Sequence, residues 1–75
     1  MPRPQHADRY KALCALLKDI RNKRGLTQAT VAERLAKPQS FVAKYESGER
    51  RLDVIEFLDV AAALGVQPVT LLRRV

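Results

Sequence analysis

Apolar residues recur every three or four positions through most of this 75-residue chain, and this spacing is typical of amphipathic helices. The first such stretch covers about residues 7–24 and ends before Gly25, a residue that commonly terminates a helix. Its apolar face consists of Tyr10, Leu13, Cys14, Leu17 and Ile20. We therefore predict a first helix over residues 7–24, preceded by a flexible, proline-containing arm over residues 1–6.

A second helix is predicted from Gln28 to about Leu35. Thr27 can cap it, because a threonine hydroxyl accepts a hydrogen bond from a free N–H of the first turn. Val31, Ala32 and Leu35 fall on one apolar face.

A third helix is predicted from Pro38 to about Ser47, since proline suits a first turn and Gly48 can end the helix. Val42 and Tyr45 give it an inner face. The outward set carries an amide, a hydroxyl, an aromatic ring and an ammonium group, on Gln39, Ser40, Phe41 and Lys44. Side chains of these types suit the edges of DNA bases in the major groove.

Two further helices complete the pattern. Asp53 and Glu56 have the spacing of a capping box at the start of a fourth helix, which Gly65 ends, and Pro68 begins a short fifth helix. The predicted inner stripe of the fourth helix is Val54, Phe57, Leu58, Ala61 and Leu64. With no strand pattern, the prediction is an all-α, five-helix domain over residues 7–75.

From about Leu17 to Leu72, the chain resembles the lambda-repressor-like helix-turn-helix family, also called Cro/CI or XRE. The residues that carry the resemblance open and close the second and third helices: Thr27-Gln28, Gln39-Ser40 and Glu46-x-Gly48. The resemblance implies a compact domain whose helix-turn-helix lies at helices two and three. It also implies a transcriptional regulator that reads double-stranded DNA.

The resemblance also implies roles for individual residues. Gln28 is expected to grip a phosphate, braced by Gln39, while the third helix faces the bases. Phe41 would meet a thymine methyl there, although core packing by a rotated helix and a protein–protein contact remain alternatives. The expected DNA-binding residues are Gln28, Lys37, Gln39, Ser40, Phe41, Lys44, Arg50 and Arg51, of which Lys37, Arg50 and Arg51 are placed for phosphates.

Arg21 and Glu46 match a pair that this family often forms between the first and third helices. A bidentate guanidinium–carboxylate contact there would fix the interhelical angle. The alternative is a pair of solvated charges, worth only about 0–1 kcal/mol.

The turn between helices two and three departs from the family pattern. Ala36 stands where glycine is usual, so either an alanine adopts a positive φ, at roughly 1 kcal/mol, or the turn has another geometry. Thr30 replaces a usual glutamate, which removes the reciprocal capping box.

The net charge of +6 favours an anionic partner, although a plain solvated surface is the alternative. Residues 1–51 contain 12 basic and 5 acidic side chains, a net charge of +7, whereas residues 52–75 have a net charge of −1. The positive half contains the predicted reading helices.

Other classes of function find no support in the residues. Cys14 is the one cysteine, which allows neither an intramolecular disulfide nor a zinc cluster, and we expect an inert core thiol. No catalytic constellation or phosphate-binding glycine loop is present, so neither an enzyme nor a cofactor is predicted. Without a signal peptide or a membrane-spanning stretch, a cytoplasmic location is expected by default.

The resulting expectation is a homodimeric repressor on a pseudo-palindromic operator, with half-sites about 34 Å apart. Its dimer surface is expected at the fifth helix, including Leu71, Leu72 and Val75. Family members of this length also include controllers of restriction–modification genes and antitoxins, which bind a toxin protein as well as their own operator. A protein-interaction module of the same fold is a further alternative, to which an exposed Phe41 would be suited.

Overall fold

The computed structural model of the chain describes residues 6–75. Five helices follow one another without a strand in this part of the chain: α1 (His6–Lys23), α2 (Gln28–Leu35), α3 (Gln39–Glu46), α4 (Val54–Leu64) and α5 (Pro68–Leu72). The predicted all-α, five-helix fold is therefore confirmed. The arm predicted over residues 1–6 lies outside the described residues, except that α1 begins at His6.

Side chains begin α2 and α4 as the sequence predicts. The Thr27 hydroxyl accepts a hydrogen bond of 3.0 Å from the backbone N–H of Thr30. At α4, Asp53 accepts a bond of 2.7 Å from the N–H of Glu56, and Glu56 accepts one of 3.0 Å from the N–H of Asp53. This reciprocal pair satisfies two N–H groups that the helix itself cannot.

Pro38 does not lie in the first turn of α3, contrary to the prediction. It is the N-cap residue, with an extended backbone at φ −64° and ψ 153°, and α3 begins one residue later at Gln39. Proline fits this position too, because its missing N–H would have no partner inside the helix.

The turn between α2 and α3 keeps a left-handed geometry with alanine in place of glycine. Ala36 has φ 55° and ψ 42°. Its N–H donates to the Glu33 carbonyl at 3.1 Å, and the Lys37 N–H donates to the Ala32 carbonyl at 3.0 Å. These two bonds form the Schellman arrangement that ends many helices, so the chain accepts strain at Ala36 to keep this turn.

The core lies where the helices meet, with α2 against α3 and α4, α1 against α3, and α5 against α4. Its most completely buried side chains come from all five helices: Cys14, Leu17, Val31, Val42, Tyr45, Val60, Leu64 and Leu71. Tyr45 is thus a core residue, as predicted.

The predicted inner stripe of α4 is wrong at two positions. Val54 and Leu58 are exposed, whereas Val60, absent from the predicted stripe, is completely buried. The buried positions Phe57, Val60, Ala61 and Leu64 follow the i, i+3, i+4, i+7 rule, which turns Leu58 away from the core. Within residues 6–75, no helix combines the length and the apolar character needed to cross a bilayer.

Candidate nucleic-acid interface

The outer side of α3 and its flanking loops presents exposed polar and basic side chains. Ser40 and Lys44 are one helical turn apart on α3, and Lys37 lies in the turn that precedes the helix. The exposed set taken from the sequence prediction is Lys37, Gln39, Ser40, Lys44 and Arg51. Because these side chains are exposed to solvent, this surface is the candidate interface.

Phe41 does not belong to this surface, so its predicted outward position is wrong. Its side chain is only 8% exposed and packs edge-to-face on Tyr45, with the ring centroids 5.7 Å apart. The buried positions of α3 are 41, 42, 45 and 46, a stripe that places Phe41 directly above Tyr45. The alternative of core packing is the one the structure shows.

A chain of polar contacts connects the core to the candidate interface. Arg21 donates two hydrogen bonds to the Glu46 carboxylate, at 2.6 and 3.0 Å, and a third to the Leu26 carbonyl at 2.8 Å. The pair expected between α1 and α3 is therefore present, and both of its side chains are largely buried. The hydrogen bonds to Glu46 raise the pKa of Arg21 above its ordinary value.

The same carboxylate holds Gln28 at the start of α2. The Gln28 side-chain amide donates to Glu46 at 3.0 Å and accepts a long hydrogen bond of 3.4 Å from Gln39. Glu46 thus supports Gln28 directly, a contact that sequence reasoning did not identify. The residue type of Glu46 gave one indication, because a carboxylate can accept more hydrogen bonds than a single guanidinium donates to it.

This orientation leaves defined groups on both glutamines free for a ligand. Gln28 retains one side-chain N–H, and Gln39 retains its carbonyl oxygen and one N–H. An exposed carbonyl beside an exposed N–H is the donor–acceptor pair with which an amide matches an adenine edge.

Arg50 lies in the loop after α3, but its guanidinium has partners within the protein. It donates to both oxygens of Glu56, at 3.0 and 2.8 Å, and to the Arg51 carbonyl at 2.8 Å. It also covers the ring of Phe41, at 4.6 Å from the centroid. Hydrogen bonds from Arg50 and from the backbone of Asp53 lower the pKa of Glu56 from 4.5 to about 2, so the carboxylate stays charged in acid that would protonate an ordinary glutamate.

Tyr10 anchors this loop to α1, a role that the sequence did not reveal. Its hydroxyl donates to the Arg50 carbonyl at 2.7 Å and accepts from the Leu52 N–H at 2.9 Å. Burial raises the pKa of Tyr10 to about 12, so the hydroxyl stays protonated and keeps both bonds at neutral pH. Arg51 lies above the Tyr10 ring, with its guanidinium carbon 5.0 Å from the centroid, and remains exposed.

The described residues include no cluster of three or more side chains suited to hold a metal ion. Cys14 is buried, and burial raises the pKa of its thiol. A protonated, enclosed thiol is a poor nucleophile, consistent with a packing role.

Two short helices joined by a tight turn, with the second presenting polar side chains outward, define a helix-turn-helix protein. A helix-turn-helix family model matches residues 17–71, and the chain belongs to this family, in its XRE branch. The family is one of DNA-binding regulators rather than of enzymes.

Solved structures of two relatives resemble the chain over most of its length. An XRE-family like protein from Pseudomonas syringae pv. tomato is 51% identical with a TM-score of 0.87, over 91% of this chain and 83% of its own. The restriction–modification controller protein C.AhdI from Aeromonas hydrophila is 32% identical with a TM-score of 0.78, over 88% of this chain and 98% of its own. No curated protein matches the sequence.

Proposed function

We propose that this chain is a sequence-specific, double-stranded DNA-binding transcriptional regulator that acts as a dimeric repressor. The observation that carries the proposal is the polar chain Arg21–Glu46–Gln28–Gln39, which holds two exposed amides where α2 and α3 meet. Amides held in a fixed orientation can hydrogen-bond to base edges, and the exposed cations beside them can bind phosphates. The net charge of +6 supports the same kind of partner.

In this proposal α3 lies in the major groove and reads the bases. Gln39 binds adenine through N6 and N7 with its remaining carbonyl and N–H, and Lys44 donates to guanine O6 or N7. Ser40 donates or accepts according to the base it meets. Phe41, enclosed beneath Arg50, is left out of the base-reading set.

Phosphates are bound by residues around the reading helix. Gln28 is the first residue of α2, where free backbone N–H groups and the helix dipole favour an anion. Lys37 in the turn and Arg51 in the following loop add exposed positive charge. These contacts fix the register of the protein without reading sequence.

A homodimer is supported by an apolar surface on α4 and α5. Among the described residues, the exposed large apolar side chains all lie there: Val54, Ile55, Leu58, Val69 and Leu72. Leu58 of α4 and Pro68 of α5 line one groove between the two helices. Leu71, expected at the interface from the sequence, is completely buried in the core and is therefore excluded from it.

A dimer built in this way would present two copies of α3 to one face of DNA. Half-sites about one helical turn apart, ~34 Å, would then accept both helices in adjacent major grooves. Occupation of a promoter by such a dimer is the simplest route to repression. The similarity to a restriction–modification controller supports transcription control as the role.

The alternative is an antitoxin or a protein-interaction module, whose main ligand is a protein. An exposed ring at Phe41 would favour the interaction module, and that ring is buried. Selection of bound duplexes separates the interaction module from the leading proposal, whereas an antitoxin would also enrich its operator and is recognised by capture of a toxin protein.

The test is selection of bound duplexes from a randomised pool by the purified protein, at near-physiological salt. We expect enrichment of an inverted repeat, whose spacing gives the separation of the two reading helices. If no sequence is enriched, the proposal is wrong, and capture of a protein ligand becomes the relevant experiment. A Gln39→Ala variant serves as control, because it should lose the preference at one position of each half-site.

A further inference from the structure

We propose that Arg50 is a positioning residue, which holds α3 in its reading orientation through Glu56 and Phe41, rather than a ligand of DNA phosphate. The inference rests on the proposed function, since the orientation matters only if α3 reads DNA. Arg50 then contributes to the sequence specificity of DNA binding and not to the electrostatic attraction of phosphates.

The side chain of Arg50 is held on two sides by different elements. Glu56, in the first turn of α4, receives two hydrogen bonds from its guanidinium at 2.8 and 3.0 Å. Phe41, in the first turn of α3, lies under the same guanidinium at 4.6 Å from ring centroid to carbon. A planar guanidinium can serve both, because its edge matches a carboxylate while its face stacks on a ring.

The backbone of Arg50 makes two more connections. Its N–H donates to the Lys44 carbonyl at 3.1 Å, near the end of α3. Its carbonyl accepts from the Tyr10 hydroxyl of α1 at 2.7 Å. One residue therefore joins α1, both ends of α3 and the start of α4.

These contacts leave Arg50 poorly suited to bind phosphate. Three of its five N–H groups donate within the protein, and the Glu56 carboxylate neutralises its charge. A phosphate would have to displace a bidentate carboxylate, which also caps α4 through Asp53. Exposed Arg51, the next residue, has no carboxylate partner among the ion pairs of the described residues and suits that role better.

Loss of these contacts should change the orientation of α3 more than it changes the electrostatic attraction of the protein to DNA. Phe41 adjoins Ser40 and Lys44 lies one turn beyond Ser40, so a tilt at Phe41 moves both proposed base-reading side chains. Base contacts depend on geometry within tenths of an ångström, whereas attraction to phosphates tolerates small displacements.

The test measures the affinity of four variants for the selected duplex and for a scrambled duplex over a range of salt concentrations. The variants are Glu56→Gln, Arg50→Lys, Arg50→Ala and, as the matched control, Arg51→Ala. We expect the first three to lose about tenfold or more on the selected duplex, comparable to one lost base contact. Their salt dependence should equal that of the wild type, and lysine should not rescue, because it lacks the bidentate edge.

Opposite results would overturn the inference. If Arg50 binds phosphate, Glu56→Gln frees its charge and raises affinity for both duplexes, and Arg50→Lys is near normal. Arg50→Ala would then lower the salt slope by about one, as expected for Arg51→Ala. Circular dichroism of each variant identifies unfolding, and Glu56→Gln, which preserves shape, gives the decision if Arg50→Ala does not fold.

The two proposals fail in distinguishable ways. A wild-type protein that binds both duplexes equally overturns the proposed function, and the inference falls with it. A wild-type protein that discriminates, combined with variants that lose affinity equally on both duplexes, overturns only the positioning role of Arg50.

Discussion

Lys44 and Arg51 are both exposed cations beside the end of α3, but one lies on the helix and the other in the loop. This difference predicts different effects on DNA binding. Lys44→Ala should cost roughly 1–3 kcal/mol on the selected duplex and relax the preference at one base position. Binding titrations against single-base variants of the duplex measure this, and an equal loss on every sequence would contradict a base-reading role.

Glu56 predicts a pH dependence of stability. Its pKa is lowered from 4.5 to about 2 on folding, so its stabilising contribution is complete above about pH 4.5. The contribution is lost progressively as the pH falls towards 2, because the unfolded chain then binds the proton more readily than the folded one. Urea unfolding of the wild type and of Glu56→Gln at several pH values in this window should show a smaller decline in the variant. Parallel declines would mean that Glu56 is not responsible.

At the level of elements, the turn between α2 and α3 contains local strain. Ala36→Gly removes the Cβ from a residue with φ 55°, and we expect a gain of about 1 kcal/mol in the free energy of unfolding. Ala15→Gly, at an exposed position inside α1, is the matched control and should instead lose about 1 kcal/mol. Thermal or urea unfolding checks both, and a loss at both positions would refute the strain.

The angle between α1 and α3 depends on the Arg21–Glu46 pair. Its side chains are 10% and 3% exposed, so removal of either one should cost about 3–5 kcal/mol by leaving the other charge without its partner. A double-mutant cycle with alanine at both positions should show that the double variant loses much less than the sum.

The exposed pair Lys23–Asp19 provides the contrast for this cycle. Its side chains are 73% and 50% exposed, and Lys23→Ala should cost no more than about 1 kcal/mol. Additive effects of Arg21 and Glu46 would show that the buried pair has no coupling.

At the level of the whole molecule, positive charge and exposed apolar surface belong to different parts of the chain. The positive charge belongs mainly to residues 1–51, whereas the exposed large apolar side chains of the described residues lie on α4 and α5. A small domain gains stability when such apolar surface is covered by a partner. The proposed dimer therefore joins through the less basic part and leaves the basic part for DNA.

Ile55→Asp should weaken this dimer, because a carboxylate would enter an apolar contact. Sedimentation equilibrium should show a shift towards monomer, with a fold unchanged by circular dichroism and weaker binding to the inverted repeat. Ala12→Asp, an exposed position on α1, is the control and should leave the association unchanged. A wild type that is monomeric at all concentrations, including on DNA, would exclude the proposed dimer.

The spacing of apolar residues and the cap residues were sufficient to predict the five helices and their bounds to within one residue. They are sufficient because a cap and an amphipathic face each depend on residues that are close together in the sequence. The capping box at Asp53 and Glu56 and the core position of Tyr45 are local in this sense. So is the presence of a turn after Leu35, although local residues do not decide its geometry at Ala36.

Tertiary structure alone decided features that depend on the rotation of a helix about its axis or on partners distant in sequence. Phe41, predicted to face outward, is buried, and Leu58, predicted to face the core, is exposed. Only packing against the neighbouring helices selects between adjacent apolar positions. Arg50 is a residue type that commonly binds phosphate, yet its guanidinium is hydrogen-bonded to Glu56 and stacked on Phe41, because the loop places it between α3 and α4. The sequence by itself determined which helices form, whereas their packing decided which polar groups remain free to bind, since a donor or acceptor that a neighbour has already used is not available to a ligand.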